Sequence, residues 1–78
     1  MTPREKNIQL IRDIASQNRV TLHDVMGPSR AQYIVTARFK CYRALRQKGL
    51  SYPQIGAIMK RDHTSILYGV RVLEKREQ

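Results

Sequence analysis

The chain has 78 residues, which is enough for one domain with a modest core, and such a core rarely supplies more than about 3–5 kcal/mol of net stability. Fifteen Lys and Arg residues against six Asp and Glu residues give a formal net charge of +9, which favours an anionic polymer or surface as the partner. The single cysteine excludes an intramolecular disulfide, and the sequence has neither a signal peptide nor an apolar run near the ~18 residues of a membrane span, so it predicts a cytoplasmic protein.

The amino-terminal part of the sequence predicts a short arm followed by a helix. Residues 1–6 are polar and are expected to form a short flexible arm, with Pro3 near the start of the first helix and one domain over residues 7–78. Apolar residues then recur three and four positions apart, at Ile8, Ile11, Ile14 and Ala15. This spacing predicts a first helix that ends near Asn18.

Turn-forming residues separate the next two predicted helices. A short second helix begins at Thr21 and is stopped by Gly27, Pro28 and Ser29. Its inward residues are expected to be Leu22, Val25 and Met26. A polar loop that carries Arg30 follows.

The third predicted helix is the longest and extends from Ala31 to Lys48. Gly49 is expected to end it in a left-handed C-cap. One face carries the small and apolar residues Ile34, Ala37, Cys41, Ala44 and Leu45. Phe39 lies nearly opposite that face, so it is expected outside the core.

A fourth helix is predicted from its capping residues. Ser51 and Gln54 form a capping box, and Pro53 stands at an early helical position where its missing N–H is tolerated. Ile55 and Ile58 are expected to point inward. The helix ends before residues 60–61.

The last predicted helix begins at Asp62, whose carboxylate is a good N-cap. Its inward residues are Ile66, Leu67, Val70 and Leu73, and its outward stripe is Thr64, Tyr68, Arg71 and Lys75. Two helices that meet across so short a turn form a helix-turn-helix. No strand pattern is present, so the sequence predicts an all-α fold, a compact bundle of about five helices that contains a helix-turn-helix.

Two stretches resemble a known family. Residues 50–56 (Leu-Ser-Tyr-Pro-Gln-Ile-Gly) and 61–71 (Arg-Asp-His-Thr-Ser-Ile-Leu-Tyr-Gly-Val-Arg) resemble the C-terminal DNA-binding domain of the bacterial replication initiator DnaA. The resemblance extends back through Ala37 and Arg38 and through Arg30 in the loop before them, and more weakly to residues 20–26. It implies sequence-specific binding of double-stranded DNA at DnaA-box-like sites, with a role in regulating replication initiation or transcription.

The resemblance also implies which residues contact DNA. The expected base contacts are Arg30, Arg38, Asp62, His63, Thr64 and Ser65. Arg30 matches a loop arginine that enters the minor groove, whereas the residues at the start of the last helix meet the major groove. Asp62 has two open interpretations, an N-cap and an acceptor for a cytosine amino group, and His63 is either a structural cap residue or a base reader.

Charge and helix geometry predict the contacts to the DNA backbone. No acidic residue occurs from Val25 through Arg61, so the charged side chains in the middle of the chain are all positive. The expected backbone contacts are Lys48, Tyr52, Pro53, Gln54, Lys60, Arg61 and Arg71. Phe39, where the family often has Gln, is an expected extra contact.

Other classes of function have less support in the sequence. No nucleophile–base pair, paired carboxylates or metal cluster appears, so no enzyme activity, cofactor or metal is expected. No ATP-binding loop is present either, so the chain is not expected to act as an initiator alone. The favoured interpretation is a freestanding DNA-binding domain of bacterial or phage origin, associated with the nucleoid. The alternative is an adapter for a replication protein, with Phe39 and Tyr42 as its contact patch; the oligomeric state stays open.

Overall fold

The structure is a computed structural model that describes residues 1–77. Within those residues five helices follow one another, α1 (Pro3–Gln17), α2 (Leu22–Met26), α3 (Gln32–Gln47), α4 (Tyr52–Met59) and α5 (His63–Arg76). No strand occurs in the described part of the chain. The predicted all-α fold with a helix-turn-helix, formed by α4 and α5, is confirmed.

The core is built around α3, which contacts each of the other four helices. Its inward face contributes Ala37, Cys41 and Leu45, all fully buried. The partners that cover them are Ile11 and Ala15 of α1, Val25 of α2, Ile55 and Met59 of α4, and Ile66 and Val70 of α5. Burial raises the pKa of the Cys41 thiol to about 12, so this thiol stays neutral inside the core.

Pro3 begins α1, as predicted, and Pro3 to Lys6 form its first turn, so of the predicted arm over residues 1–6 only Met1 and Thr2 precede the helix. The Thr2 hydroxyl accepts a hydrogen bond from the backbone N–H of Glu5 at 3.2 Å, and Pro3 occupies the first helical position. Both features favour a helix start. The helix therefore begins four residues earlier than the apolar periodicity alone indicates.

The helix ends are fixed mainly by local side-chain caps. Thr21 and Asp24 form a capping box at α2, with both hydrogen bonds at 3.0 Å, and Ser51 and Gln54 form the predicted one at α4. Gly49 after α3 has a φ of 111°, a left-handed conformation that glycine adopts easily. These predicted boundaries are confirmed.

Phe39 corrects the expectation that it lies outside the core. It is half-buried against the core, with its ring centroid 5.8 Å from that of Tyr42 and 6.1 Å from that of Tyr68. Gly69 on α5 opens the space, since a Cβ there would lie 2.6 Å from the Phe39 ring. Tyr42 is itself only 2% exposed, so the two residues do not form the surface patch expected for an adapter.

Candidate nucleic-acid interface

The amino-terminal end of α5 presents a group of polar side chains to solvent. We call it the α5 tip; its members are Asp62, His63, Thr64 and Ser65, all exposed. The Asp62 carboxylate accepts from the Thr64 backbone N–H at 2.9 Å and from the Thr64 hydroxyl at 2.9 Å. These two hydrogen bonds, first the backbone and then the side-chain one, lower the pKa of Asp62, so the tip keeps a negative charge at its N-cap.

The turn between α4 and α5 is tight because Gly56 lies directly beneath it. The Gly56 carbonyl accepts the backbone N–H of Arg61 at 2.9 Å, and Lys60 takes a left-handed φ of 56°. A Cβ on Gly56 would lie 2.5 Å from the Arg61 carbonyl oxygen. Glycine at position 56 therefore lets the turn pack onto α4, which sets the angle at which α5 leaves it.

The outward stripe of α5 is as predicted. Its residues Thr64, Tyr68, Arg71 and Lys75 are all exposed. Tyr68 is 65% exposed and was not among the expected contacts, although it follows Thr64 by one helical turn on the same stripe. A cavity of about 390 Å³ beside it is lined by Phe39 and Arg38 of α3 and by Arg61, Thr64, Ser65 and Tyr68.

Arg30 lies in the loop of residues 27–31, which connects α2 to α3 and which we call the basic loop. Arg30 is exposed, in keeping with a side chain available to a ligand. No side-chain cap fixes the end of the loop at the start of α3, because the N-cap residue is Ala31. Within the loop, the Ser29 hydroxyl accepts the backbone N–H of Ala31 at 3.3 Å.

Arg38 is placed differently from the expected base contact. It is 7% exposed, and its Nε and Nη2 groups donate to four backbone carbonyls at 2.9 to 3.4 Å. The accepting residues are Asp24, Val25, Gly27 and Ser29. Burial, and secondly the nearby Arg61, lower the pKa of Arg38. The burial corrects the prediction: Arg38 holds the end of α2 and the basic loop instead of standing free for a base.

Arg61 joins the α5 tip to the basic loop. It is half-buried, and its Nη2 donates to the Gly27 carbonyl, the same oxygen that accepts from Arg38. Arg61 directly precedes Asp62 in the chain, and Gly27 is three residues before Arg30. The two regions expected to contact DNA are therefore neighbours in the fold.

Several basic side chains already have partners within the protein. Lys48 donates to the buried Asn7 at 2.6 Å, Lys40 donates to Asn18 at 3.0 Å, and Arg43 pairs with Glu77 at 2.5 Å. Arg46 lies 4.8 Å from the centre of the Tyr52 ring and donates to the Leu50 carbonyl. Lys60 and Arg71 are exposed, as expected for backbone contacts.

The amino-terminal end of α4 offers less to a phosphate than predicted. The Gln54 backbone N–H is taken by the Ser51 hydroxyl at 3.2 Å, and the Gln54 side chain accepts from the Ser51 N–H at 2.8 Å. Pro53 has no N–H to donate. Of the three expected residues, Tyr52 is therefore the one whose first-turn amide is not used by the capping box.

Two specific features are absent from the described residues. None of the helices within residues 1–77 combines the length and the apolar character needed to cross a membrane. The same residues hold no group of three or more His, Cys, Asp and Glu side chains placed to bind a metal ion.

A short helix-turn-helix, an exposed polar tip on its second helix and a strongly basic chain define the class of helix-turn-helix DNA-binding domains. Within that class, the family described as the bacterial dnaA protein helix-turn-helix matches residues 4–72. The chain belongs to this family.

Individual relatives agree with the family match. The chain is 34% identical over 67 residues to the chromosomal replication initiator protein DnaA of Mycoplasma genitalium, covering 85% of this chain. It is 35% identical over 63 residues to that of Clavibacter sepedonicus, covering 78%, and 26% identical over 70 residues to DnaA 1 of Chlamydia pneumoniae, covering 88%. The chain spans only 13 to 15% of the length of these relatives. No solved structure matches it.

Proposed function

We propose that this chain binds double-stranded DNA sequence-specifically, with the α5 tip in the major groove and Arg30 in the adjacent minor groove. The sites would resemble DnaA boxes, and binding would regulate replication initiation or transcription. The observation that carries the proposal is the contact between Arg61 and Gly27, which holds the tip and the basic loop side by side. A duplex that lies along both would present one groove to each.

The α5 tip has the chemistry to read base edges. The Thr64 hydroxyl donates to Asp62, which leaves its lone pairs for a base amino group and its methyl for a thymine methyl. Asp62 is an acceptor when ionised, so a cytosine or adenine amino group suits its free oxygen and a phosphate does not. His63 and Ser65 add a donor or acceptor on either side.

Arg30 and the exposed cations supply the contacts that do not depend on the major groove. A narrow A·T-rich minor groove has an enhanced negative potential, which attracts an arginine held at its edge. Lys60 and Arg71 are exposed beside the tip and along the outward stripe of α5, where they would neutralise phosphates. The net charge of +9 adds a long-range attraction to any duplex.

Selection of bound fragments from a random duplex pool, followed by affinity measurements on the enriched sequence, tests the proposal. His63→Ala or Thr64→Ala should lose about 1–3 kcal/mol on the selected site and nothing on unrelated duplexes. Arg71→Ala is the matched comparison, because loss of a phosphate contact weakens binding to all sequences and lowers the salt slope by about 1.

Three results would contradict the proposal. One is an unenriched pool, and another is an equal loss on every sequence for the tip variants. The third is a partner retained at high salt in the presence of competitor DNA, because counterion release makes DNA binding fall steeply with salt. That third result would point to a protein partner.

A further inference from the structure

The carbonyl groups that precede Arg30 are bonded in an unusual way for a surface loop. Val25 and Ser29 each accept from Arg38 at 2.9 Å, and Gly27 accepts from both Arg38 and Arg61. Loop carbonyls are commonly left to water, because loops run over the surface. Here guanidinium groups from α3 and from the helix-turn-helix hold the Gly27 and Ser29 carbonyls of the loop, together with those of Asp24 and Val25 at the end of α2.

This arrangement is energetically costly, so it is not explained by stability alone. Arg61 lies close enough for its charge to disfavour the charged form of Arg38, and within residues 1–77 neither arginine forms an ion pair with a carboxylate. The Nε of Arg61 is buried without a hydrogen-bond partner among the same residues. Buried charges and unpaired donors oppose folding. A cost of this kind is expected where a local rule is broken for function.

We infer that Arg38 and Arg61 are positioning residues, which fix where Arg30 stands relative to the α5 tip. Arg38 ties the basic loop to α3, and Arg61 ties the same loop to the turn from which α5 starts. The spacing between the minor-groove and major-groove contacts is then set by two side chains that read no base themselves. The inference rests on the proposed function and adds to it the residues that couple its two halves.

A modified duplex separates the two grooves. Replacing adenine by 2,6-diaminopurine adds an amino group in the minor groove and leaves the major-groove pattern of A·T in place. Replacing thymine by uracil removes a methyl group from the major groove alone. Both changes are made position by position in the selected site, and each result is the ratio of the modified to the unmodified Kd.

For the wild-type chain we expect one or two diaminopurine positions to weaken binding on the order of tenfold, the size of a typical mismatch. Arg30→Ala should abolish that sensitivity. Arg61→Gln should also lose most of it while keeping the response to uracil, because the tip remains intact. The matched control is the same substitution at an arginine of α3, Arg43→Gln, which pairs with Glu77 and should keep both responses.

The outcomes separate the inference from the proposal beneath it. If no diaminopurine position affects the wild-type chain, the minor-groove contact itself is wrong and the inference is overturned with it. If the wild-type chain and Arg30→Ala behave as expected but Arg61→Gln keeps full minor-groove sensitivity, the inference alone is overturned. A parallel loss of both groove responses in a folded Arg61→Gln protein also overturns it.

A second measurement needs no DNA and tolerates a weakened fold. Amide order parameters at Gly27, Ser29, Arg30 and Ala31 should fall from the ~0.85 of rigid backbone toward 0.6 in Arg38→Lys, which keeps the charge but loses the planar fork. The amide of Leu45 in the core should not change. Loop order that is the same in Arg38→Lys as in the wild-type chain would overturn the inference.

Discussion

Two regions of the molecule are stabilised in different ways. The apolar region, where α1 and α5 pack on α3, is closed by fully buried side chains such as Ile11, Leu45 and Ile66. The loop–turn junction, where the basic loop meets the turn before α5, is held by hydrogen bonds from Arg38 and Arg61. Apolar burial is roughly proportional to area and has no direction, whereas hydrogen bonds fix orientation. The first region supplies stability, and the second determines geometry.

The largest expected effect is in the apolar region. Leu45→Ala should lower the free energy of unfolding by roughly 2–5 kcal/mol, because it leaves a cavity in the fully buried core. That is comparable to all the net stability expected of so small a core. Urea denaturation measures it, with the exposed Gln47→Ala on the same helix as the control, expected within about 0.5 kcal/mol of the wild type.

Leu45→Ala should also weaken DNA binding by one factor on every sequence, because it changes only the folded fraction. A loss confined to the preferred site would show that the core and the reading surface are not separable. The comparison of the two regions would then fail.

A smaller effect is expected where the turn approaches α4. Gly56→Ala places a methyl group 2.5 Å from the Arg61 carbonyl oxygen, a backbone atom that cannot rotate away, so the turn must shift. We expect a cost of about 1–3 kcal/mol, measured by thermal unfolding. Ala57→Ser, at the exposed neighbouring position, should cost only about 0.5 kcal/mol. Gly56→Ala should in addition reduce discrimination between DNA sites, since the turn carries Arg61. A Gly56→Ala protein as stable as the wild type would show that the turn does not pack tightly against α4.

The same division separates what the sequence predicts from what it does not. Local features are set by residues three or four positions apart, and the structure confirms those that the sequence predicts. They are the buried faces of α3 and α5 and the caps at Thr21, Ser51 and Asp62. The start of α1 was readable in the same way, because Thr2 and Pro3 are a capping residue and a first-turn proline.

The long side chains were not predictable from local spacing. Arg38 bonds a residue 13 positions away, Arg61 one 34 positions away, and Lys48 one 41 positions away. A flexible cation has many solvated conformations in an unfolded chain, and only the packed backbone brings these carbonyl and amide oxygens within reach. The burial of Phe39 was not predictable for a related reason, since the space that its ring occupies is made by Gly69 on another helix.

The Ser51 cap at the start of α4 provides a smaller test, in which two substitutions at one position are compared. Ser51→Ala should cost about 1 kcal/mol, because the Gln54 backbone N–H loses its acceptor at the start of α4. Ser51→Gly should cost only a few tenths of a kcal/mol. Thermal unfolding measures both, and a Ser51→Ala protein as stable as the wild type would mean that the hydrogen bond from Gln54 to the Ser51 hydroxyl contributes nothing to stability.

The smallest expected effect is on the α5 tip in acid. Hydrogen bonds from the Thr64 backbone and hydroxyl hold the pKa of Asp62 below its ordinary 3.8. A carboxyl group whose pKa is lowered by folding stabilises the folded state above its unfolded pKa, and that stabilisation is lost as the pH falls through its folded pKa. The stabilisation that Asp62 provides should therefore be fully present and constant between pH 5 and 8, and the first turn of α5 should loosen only below about pH 4.

An NMR titration of the Thr64 amide tests this last prediction, because that N–H donates directly to the Asp62 carboxylate. Its chemical shift should change with a midpoint below 3.8, and Asp62→Asn should remove that transition while the core amides stay unchanged. The Thr21 amide, which donates to Asp24, should show its own transition in the same acid range, since the pKa of Asp24 is lowered chiefly by that hydrogen bond. A Thr64 midpoint at or above 3.8 would mean that the cap is open in solution, and the tip would then lack the fixed threonine hydroxyl on which its reading of a base depends.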